Sequence, residues 1–409
     1  MKNHIYYRLE MKLASPLSVG DGKNESTDHD IVKNRNGTPF IPASSIAGVF
    51  RHTLDIDTKL QNEIFGNIYG ENSHNSKVIF YNAELSKGSS TSVRDSVKLE
   101  KKVGVKGSKF DMEIIETGAE LVTYLELPVC SESIVSSVEK MISELLAGNI
   151  RFGAKTSRGY GKILIISLKK KTFDLDDESE LDAWLNFDVF NSEAWADEAE
   201  YSVSKTGLSY TKIVLNLTQK GAISIREYVT DAETNSPDYK HISLNDGTSV
   251  IPGTSWAGAF RDRYCEFAGS ENAEKLFGYV RENNKTDVCR KSRIIFSEST
   301  VTDCIIKKIT RNAIDRFSSA AKDAALYTEK TCYNGKTELE ILLNNDVTDE
   351  EKTLLSAVIL DLSNGFLSVG GLTSVGRGMF SVIGLTVNDE DRMNFLNPKD
   401  ISQLLEVKS

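Results

Sequence analysis

The chain has 409 residues, a formal net charge of −10 and five cysteines, a length that allows two or three domains, each burying its own core. A hydrophobic share of 40% and a charged share of 26% are those of an ordinary globular protein, and no apolar run is long enough to cross a membrane as a helix. The first residues do not read as a signal peptide, which points to the cytoplasm. Cys130, Cys265, Cys289, Cys304 and Cys332 show no CxxC spacing and the histidines do not gather near them, so reduced thiols are expected and a zinc site is not.

In chain order, Ile5, Tyr7, Leu9, Met11 and Leu13 alternate with Arg8, Glu10 and Lys12, which predicts a half-buried strand. A short apolar step, Leu17-Ser18-Val19, and a polar loop lead to Ile41-Pro42-Ala43-Ser44-Ser45-Ile46-Ala47-Gly48-Val49-Phe50-Arg51. There the proline holds the backbone extended, the two serines are placed to cap a helix, and Ile46, Val49, Phe50 and Leu54 share one helical face. The small pair Ala47-Gly48 would let another backbone approach closely. Phe65-Gly66 and a β-prone run from Lys77 to Tyr81 precede a charged excursion, Arg94-Asp95-Ser96-Val97-Lys98-Leu99-Glu100-Lys101. The return through Gly118 into an alternating strand, Glu120 to Leu127, predicts a hairpin standing out from a sheet. An amphipathic helix follows, with Ile134, Val138, Met141, Ile142 and Leu145 on one face and Gly148 at its C-cap. A glycine-rich loop, Phe152 to Gly161, and a strand from Lys162 to Ser167 close the series.

The series then occurs again. Ile251-Pro252-Gly253-Thr254-Ser255-Trp256-Ala257-Gly258-Ala259-Phe260-Arg261 repeats the Ile-Pro motif 210 residues on. It is preceded by a strand carrying Ile213, Leu215 and Leu217 and by the step Ile223-Ser224-Ile225. It is followed by Phe277-Gly278, a run from Arg293 to Ser297, the excursion Arg311-Asn312-Ala313-Ile314-Asp315-Arg316 and a turn at Gly335. Then come a strand from Thr337 to Leu343, a helix carrying Leu354, Leu355, Val358, Ile359 and Leu362, Gly365, and a loop from Val369 to Gly378 before a last strand, Met379 to Val387. An ordered echo of this kind signals internal duplication. Each copy reads β-α-β-β-α-β with an insertion, so the expected fold class is α+β: two tandem ferredoxin-like (RRM-like) domains, each with an inserted β-hairpin. The expected boundaries are residues 1–173 for the first domain, an acidic linker at 174–204, 205–389 for the second domain and a tail at 390–409. Trp184, Leu185, Phe187 and Trp195 argue that part of the linker packs as a short helix.

Charge is divided along the chain. Asp174 to Glu200 holds eleven acids and no Lys or Arg, whereas Arg94 to Lys109 holds six bases against Asp95 and Glu100. The negative total therefore does not exclude a basic groove for nucleic acid. The glycine-rich loops read Phe152-Gly153-Ala154-Lys155-Thr156-Ser157-Arg158-Gly159-Tyr160-Gly161 and Val369-Gly370-Gly371-Leu372-Thr373-Ser374-Val375-Gly376-Arg377-Gly378. Such loops can free backbone amides for a phosphate with a nearby cation; the bland alternative is a tight turn between helix and strand.

Taken in this order and found in both copies, the strand, the polar loop, Ile-Pro-x-Ser/Thr-Ser-x-x-Gly-x-x-Arg, Phe-Gly, the charged excursion (Ile314-Asp315-Arg316 in the second copy, Leu99-Glu100-Lys101 in the first) and the closing Thr-Ser-x-Gly-x-Gly resemble the RAMP superfamily. More closely, both copies resemble the backbone subunits of type III CRISPR effector complexes, across nearly the whole chain. Two such domains on one chain resemble the fused architecture of type III-D-like systems. The resemblance implies a subunit that coats the guide part of a CRISPR RNA, with other RAMP and large subunits and a target RNA as partners. It implies that each hairpin acts as a thumb pushing a base out of the guide–target duplex. It also implies RNA contacts from Ser44, Ser45, Arg51, Lys155, Arg158, Thr254, Ser255, Arg261, Arg316 and Arg377; for Arg51 and Arg261 a structural salt bridge is the equal alternative.

In that family an aspartate in the loop before the Ile-Pro helix is needed to cut target RNA. Counting back 14 residues from Pro42 and Pro252 reaches Asp28 and Asp238, whereas Asp30 meets Lys240. Cleavage requires a 2′-hydroxyl to lose its proton and attack the adjacent phosphorus in line, a geometry open to an unstacked nucleotide. A carboxylate can act as general base or hold a divalent ion, Mg2+ or Mn2+, chiefly hydrated because no second acid is supplied. Asp28 and Asp238 are therefore the expected catalytic and metal-holding residues, against the alternative of exposed Asx-turn residues. The rival functions are a guide-holding member that does not cut, a guide-processing endoribonuclease and a protein binding a small anionic ligand.

Overall fold

The alternation near the start of the chain is a strand, β1 (Asn3–Leu13), in the computed structural model, which describes residues 2–22, 27–67, 73–86, 90–100, 103–228, 236–281 and 288–406. Contacts divide the chain into two units. The first is Met1–Val93, Met112–Thr156 and Tyr160–Leu208; the second is Arg94–Asp111, Ser157–Gly159 and Ser209–Ser409.

After β1 come α1 (Ala43–Thr53), α2 (Thr58–Phe65), β2 (Ala83–Leu85), β3 (Thr91–Glu100), β4 (Val103–Ile115), β5 (Glu120–Leu127), α3 (Glu132–Ala147), β6 (Ile163–Asp174) and α4 (Glu178–Leu185). The first sheet runs β6-β1-β5-β2, with Phe40–Ile41 beside β2 and Ile79–Phe80 also paired to β5. β1 is antiparallel to both neighbours, and Tyr7 lies opposite Leu125 and Lys170. The opening strand thus sits between the closing strand and the third, the ferredoxin-like arrangement. Ile5, Tyr7, Leu9, Met11 and Leu13 bury against Ile46 and Phe50 of α1 and Ile134, Val138, Met141 and Ile142 of α3, each large side chain contributing roughly 1.5–3 kcal/mol.

The second unit repeats this plan with β7 (Tyr210–Lys220), β8 (Arg226–Tyr228), β9 (Tyr239–His241), α5 (Gly253–Phe277), β10 (Ile294–Phe296), β11 (Ser299–Thr302), β12 (Ile305–Ile314), β13 (Ala321–Tyr333), β14 (Lys336–Asn344), α6 (Asp349–Asn364) and β15 (Met379–Val387). Its sheet runs β15-β7-β14-β11, with β10 also on β14. Leu215 lies opposite Leu339 and Leu385. The opening and closing strands of both sheets are bulged at the same place, between Glu10 and Met11 and between Asn216 and Leu217. A bulge at one register in two sheets is a structural trace of duplication. Helix α6 begins with a capping box between Thr348 and Glu351, and α3 and α6 end at left-handed Gly148 and Gly365.

Two expectations change and a third holds. Ser44, Ser45, Thr254 and Ser255 do not cap the Ile-Pro helices: Pro42 and Pro252 hold the cap positions, without a side-chain cap bond, and the hydroxyl residues lie in the first turn. The amide of Ala43 is taken instead by Asn82 Oδ1 at 2.9 Å. Second, Gly48 and Gly258 receive no other backbone from the described residues of the chain: a Cβ on either would meet nothing within 4 Å. Third, the acidic segment is not a free linker. Trp195 is fully buried and packs with Tyr6, Tyr124 and Phe173 of the first sheet. Its Nε1 donates to Val189 O at 3.0 Å, and Trp184 Nε1 donates to Tyr6 Oη at 3.1 Å. Strand β6 consequently runs on to Asp174, well past Ser167. Nine of the eleven acids are exposed, and Asp174 and Glu198 are half-buried, while Tyr6, Tyr124 and Phe173 of the sheet are covered by Trp184, Phe187 and Trp195.

Candidate nucleic-acid interface

The Ile-Pro helices set the first part of the site. Helical spacing turns Ile46 and Phe50, and likewise Trp256 and Phe260, inward. It leaves Ser44, Gly48 and Arg51 exposed on one surface, and Thr254, Gly258 and Arg261 on the other. Packing explains the inward residues, of which Ile46 is replaced by Trp256 while the phenylalanine is kept; nothing in the packing explains why the outward ones match. Ser45 and Ser255 are half-buried beside them. Arg51 donates to Asn62 Oδ1 at 3.2 Å. Among the described residues neither Arg51 nor Arg261 forms an ion pair, so the salt-bridge alternative is not what holds them. Hydroxyls, a helix amino end and an arginine together present donors suited to phosphate oxygens.

The glycine-rich loops are tight turns. A Cβ at Gly161 or Gly378 would stand 1.9 Å from the carbonyl oxygen of Phe152 or Val369. The amides of Ala154 and Gly371 donate to Ser18 O and Ser224 O at 2.8 and 2.7 Å, and those of Gly161 and Gly378 to Pro16 O and Ala222 O at 2.8 Å. These amides are spent inside the unit, contrary to the phosphate cradle expected from the sequence. Lys155, at a left-handed φ of 57°, places Nζ 2.7 Å from Met112 Sδ. Arg158 is exposed in a short 3-10 turn.

Arg377 does not fit the expected RNA-binding role. It is 2% exposed, and its Nη1 donates to Glu329 Oε1 at 2.7 Å. Glu329, 1% exposed, also accepts from Ser224 Oγ at 2.5 Å and lies 3.7 Å from Arg226 Nε. Burial pushes its carboxyl up, but the bonds from Ser224 and Arg377 outweigh that and hold it below the ordinary value. Beside it, His241 is lowered to about 4 by burial, and its Nδ1 accepts from Ile225 N at 3.2 Å, which fixes a neutral ring. None of Glu329, His241 and Ser224 stood out in the sequence. The available signal was a charged residue at an inward position of an alternating strand.

Asp28 and Asp238 occupy one register. His29 bridges in parallel to Met112 of β4, and Glu113 N donates to His29 O at 2.9 Å. Tyr239 pairs in parallel with Glu329 of β13. Each aspartate therefore comes one residue before the chain joins the returning strand of a hairpin. Asp28 is half-buried and Asp238 exposed. Asp238 Oδ2 accepts from Thr328 N at 2.6 Å, and Oδ1 has no partner among the described residues. Asp30 is buried and bonded by Thr27 Oγ1, while its counterpart Lys240 lies 3.5 Å from Glu227. No group of three or more His, Cys, Asp or Glu that could hold a metal exists among the described residues. A single exposed carboxylate suits only an ion that shares its shell with substrate phosphate and water.

The second hairpin, β12 with β13, ends in a built turn. Asp315 Oδ1 accepts from the amides of Phe317 and Ser318 at 3.0 and 2.8 Å. Asp315 thus shapes the tip, whereas Arg316 is exposed and Phe317 is 96% exposed. In the first hairpin, Lys101 and the side chains of Leu99 and Glu100 lie outside the described residues.

Two ferredoxin-like units with matched hairpins and matched exposed residues define a class of duplicated RNA-binding scaffold. The chain matches the RAMP superfamily over residues 10–164 and 205–381, and it belongs to that superfamily. RAMP proteins are CRISPR-associated, bind CRISPR RNA and act in multisubunit complexes. No curated protein matches the chain.

Proposed function

We propose that this chain is a guide-binding backbone subunit of a type III, type III-D-like, CRISPR effector complex, acting in the cytoplasm, and that it cuts complementary target RNA once in each unit. One observation carries this reading. Across two copies whose loops have diverged, an aspartate stays one residue ahead of the parallel pairing to the hairpin's returning strand, as Asp28 before His29–Met112 and Asp238 before Tyr239–Glu329.

The outward faces of the Ile-Pro helices, with Arg51 and Arg261, hold guide phosphates, and Ser44, Ser45, Thr254 and Ser255 add donors. Lys155, Arg158 and Arg316 supply further cations near the loops and the hairpin tip. Arg377 supports the unit from inside. The second hairpin, with Phe317 at its exposed tip, unstacks a nucleotide of the bound target and frees its 2′-hydroxyl to turn in line. Asp28 or Asp238 accepts the proton of that hydroxyl as its oxygen attacks the adjacent phosphorus; the bond from phosphorus to the 5′-oxygen of the next nucleotide breaks, that oxygen takes a proton from water, and a 2′,3′-cyclic phosphate is left. A Mg2+ or Mn2+ ion brought in with the phosphates and held by Asp28 or Asp238 would offset charge on the phosphoryl oxygens.

The test is target cleavage by the assembled complex with Asp28→Ala and Asp238→Ala. Loss of a different product in each variant is the expected result; the same products from both would sink the cutting role. A guide-holding role without cutting is favoured for the second unit by the Thr328 amide on Asp238 Oδ2, the kind of local bond a structural aspartate makes.

A further inference from the structure

The two copies secure the aspartate-bearing segment to the hairpin by different means. In the first unit Lys33 Nζ meets Glu113 Oε1 at 2.6 Å, an ion pair on the solvent side. The corresponding positions there are apolar or small: Met112 in β4, Tyr160 in the glycine-rich loop and Ile31 are buried, and Gly20, paired with Ile31, is exposed. In the second unit the outer pair has gone, because Ser243 and Lys330 stand at the places of Lys33 and Glu113. In their place Glu329, Arg377 and His241 are buried, with Arg226 at the exposed rim of the group.

Glu329 lies at the centre of this group and touches four segments. Ser224 donates to it from the step after β7 and Arg377 from the glycine-rich loop. Arg226, on β8, stands 3.7 Å from its carboxylate and places its guanidinium 4.5 Å from the centre of the Tyr239 ring. Tyr239 is opposite Glu329 in the ladder and follows Asp238. The β9–β13 pairing that this group surrounds is only two residues long, Tyr239 with Glu329 and Lys240 with Lys330. Two parallel pairs supply little hold of their own. The cluster is also incompletely satisfied: Glu329 Oε2 and Arg377 Nη2 have no hydrogen-bond partner among the described residues. Charges buried on these terms add little net stability, but they specify which residue lies opposite which. A slip of one residue would aim the side chain of Asp238 at the other face.

We propose that Glu329 is a positioning residue. Clamped by Arg377, Ser224 and Arg226, it sets the register that delivers the Thr328 amide to Asp238 and so aims that carboxylate. The proposal rests on the cutting role of Asp238, and it assigns the second unit a buried Glu329–Arg377 pair where the first unit has Met112 and Tyr160.

The experiment uses the full chain with Glu329→Met and with the double substitution Glu329→Met/Arg377→Tyr, which installs the first unit's residues and leaves neither charge of the Glu329–Arg377 pair alone. Two quantities are read: amide exchange at Thr328 against Ile341 in β14, and single-turnover formation of each product in the assembled complex. The expected result for both variants is exchange at Thr328 at least tenfold faster, with Ile341 unchanged. The Asp238-dependent product forms at least tenfold more slowly at unchanged target affinity, and the Asp28-dependent product at its usual rate. Unchanged protection of Thr328 in the double variant overturns the proposal. So does an equal rise at Ile341, which would make the cluster a general stabiliser. If Asp238→Ala removes no product while Thr328 exchange still rises tenfold, the cutting role fails and the register assignment stands.

Discussion

Asp238 and Thr328 hold each other at two points: the Asp238 amide donates to Thr328 O at 2.9 Å, and the Thr328 amide donates to Asp238 Oδ2 at 2.6 Å. Asparagine can keep an oxygen for the second bond but cannot take a proton as a carboxylate does. Asp238→Asn should therefore leave the fold and the affinity for target RNA intact while slowing one cleavage event by roughly 10²–10⁴-fold, the usual worth of a general base. Single-turnover rates and a binding isotherm on the same complex check this, and wild-type cleavage would assign Asp238 to structure alone.

Arg51→Ala and Arg261→Ala remove exposed cations that have no acidic partner among the described residues. Stability should change by no more than about 0.5 kcal/mol. Guide affinity should fall, and the slope of log affinity against log salt should become shallower by about one for each arginine. A salt titration with guide RNA separates this outcome from a lost structural contact, which would lower stability and leave the slope alone.

The buried ring of His241 gives the second unit an acid limit. Its pKa is lowered from 6.5 to about 4 by burial, against the pull of Val250's backbone and Glu329. A depressed histidine stabilises the fold fully above its unfolded value, and that share is lost as pH falls from about 6.5 towards 4, on the order of 3 kcal/mol in all. The protection factors of the β14 amides, which are corrected for slower intrinsic exchange in acid, should thus fall between pH 6.5 and 4, and His241→Gln should flatten that limb. An equally steep limb in the variant would place the acid sensitivity elsewhere.

Trp195→Ala tests whether the acidic segment belongs to the first unit. The side chain is fully buried against Tyr124 and Phe187, so the loss should be about 3–5 kcal/mol. Leu185→Ala, at a residue 66% exposed, should cost no more than about 0.5 kcal/mol. Urea midpoints of the two variants decide, and equal, small effects would return the segment to the status of linker.

Phe317→Ala removes a ring that touches almost nothing in the chain, so the melting temperature should hold. If this ring unstacks a target nucleotide, cleavage in the second unit should slow at least tenfold while guide affinity stays the same. A changed melting temperature with normal cleavage would make it a packing residue.

Much of the architecture is written in periodicity. The alternation of Ile5 to Leu13 and of Ile213 to Leu217, the helix face from Ile134 to Leu145, and Gly148 and Gly365 at helix ends all occupy the expected places. Local pattern fails where the deciding partner is distant. The hydroxyls of Ser44 and Ser45 suggested caps, yet Pro42 took the position and Asn82 reached across to the free amide. Tyr6 and Tyr124 look like outward strand residues until Trp195 arrives to cover them. Arg377 follows a glycine as a phosphate-binding arginine would, but Glu329, 48 positions earlier, turns it inward. The matched aspartates were legible because the chain contains its own second copy for comparison.

The cover over the first sheet also determines where this chain can be divided. A fragment ending at Phe173 would leave the rings of Tyr6, Tyr124 and Phe173 wet and prone to self-association. One carried through to Leu208 would keep Trp195 as a plug. The acids therefore belong with the first unit's sheet, and any dissection of the duplication should keep the chain to Leu208 with it.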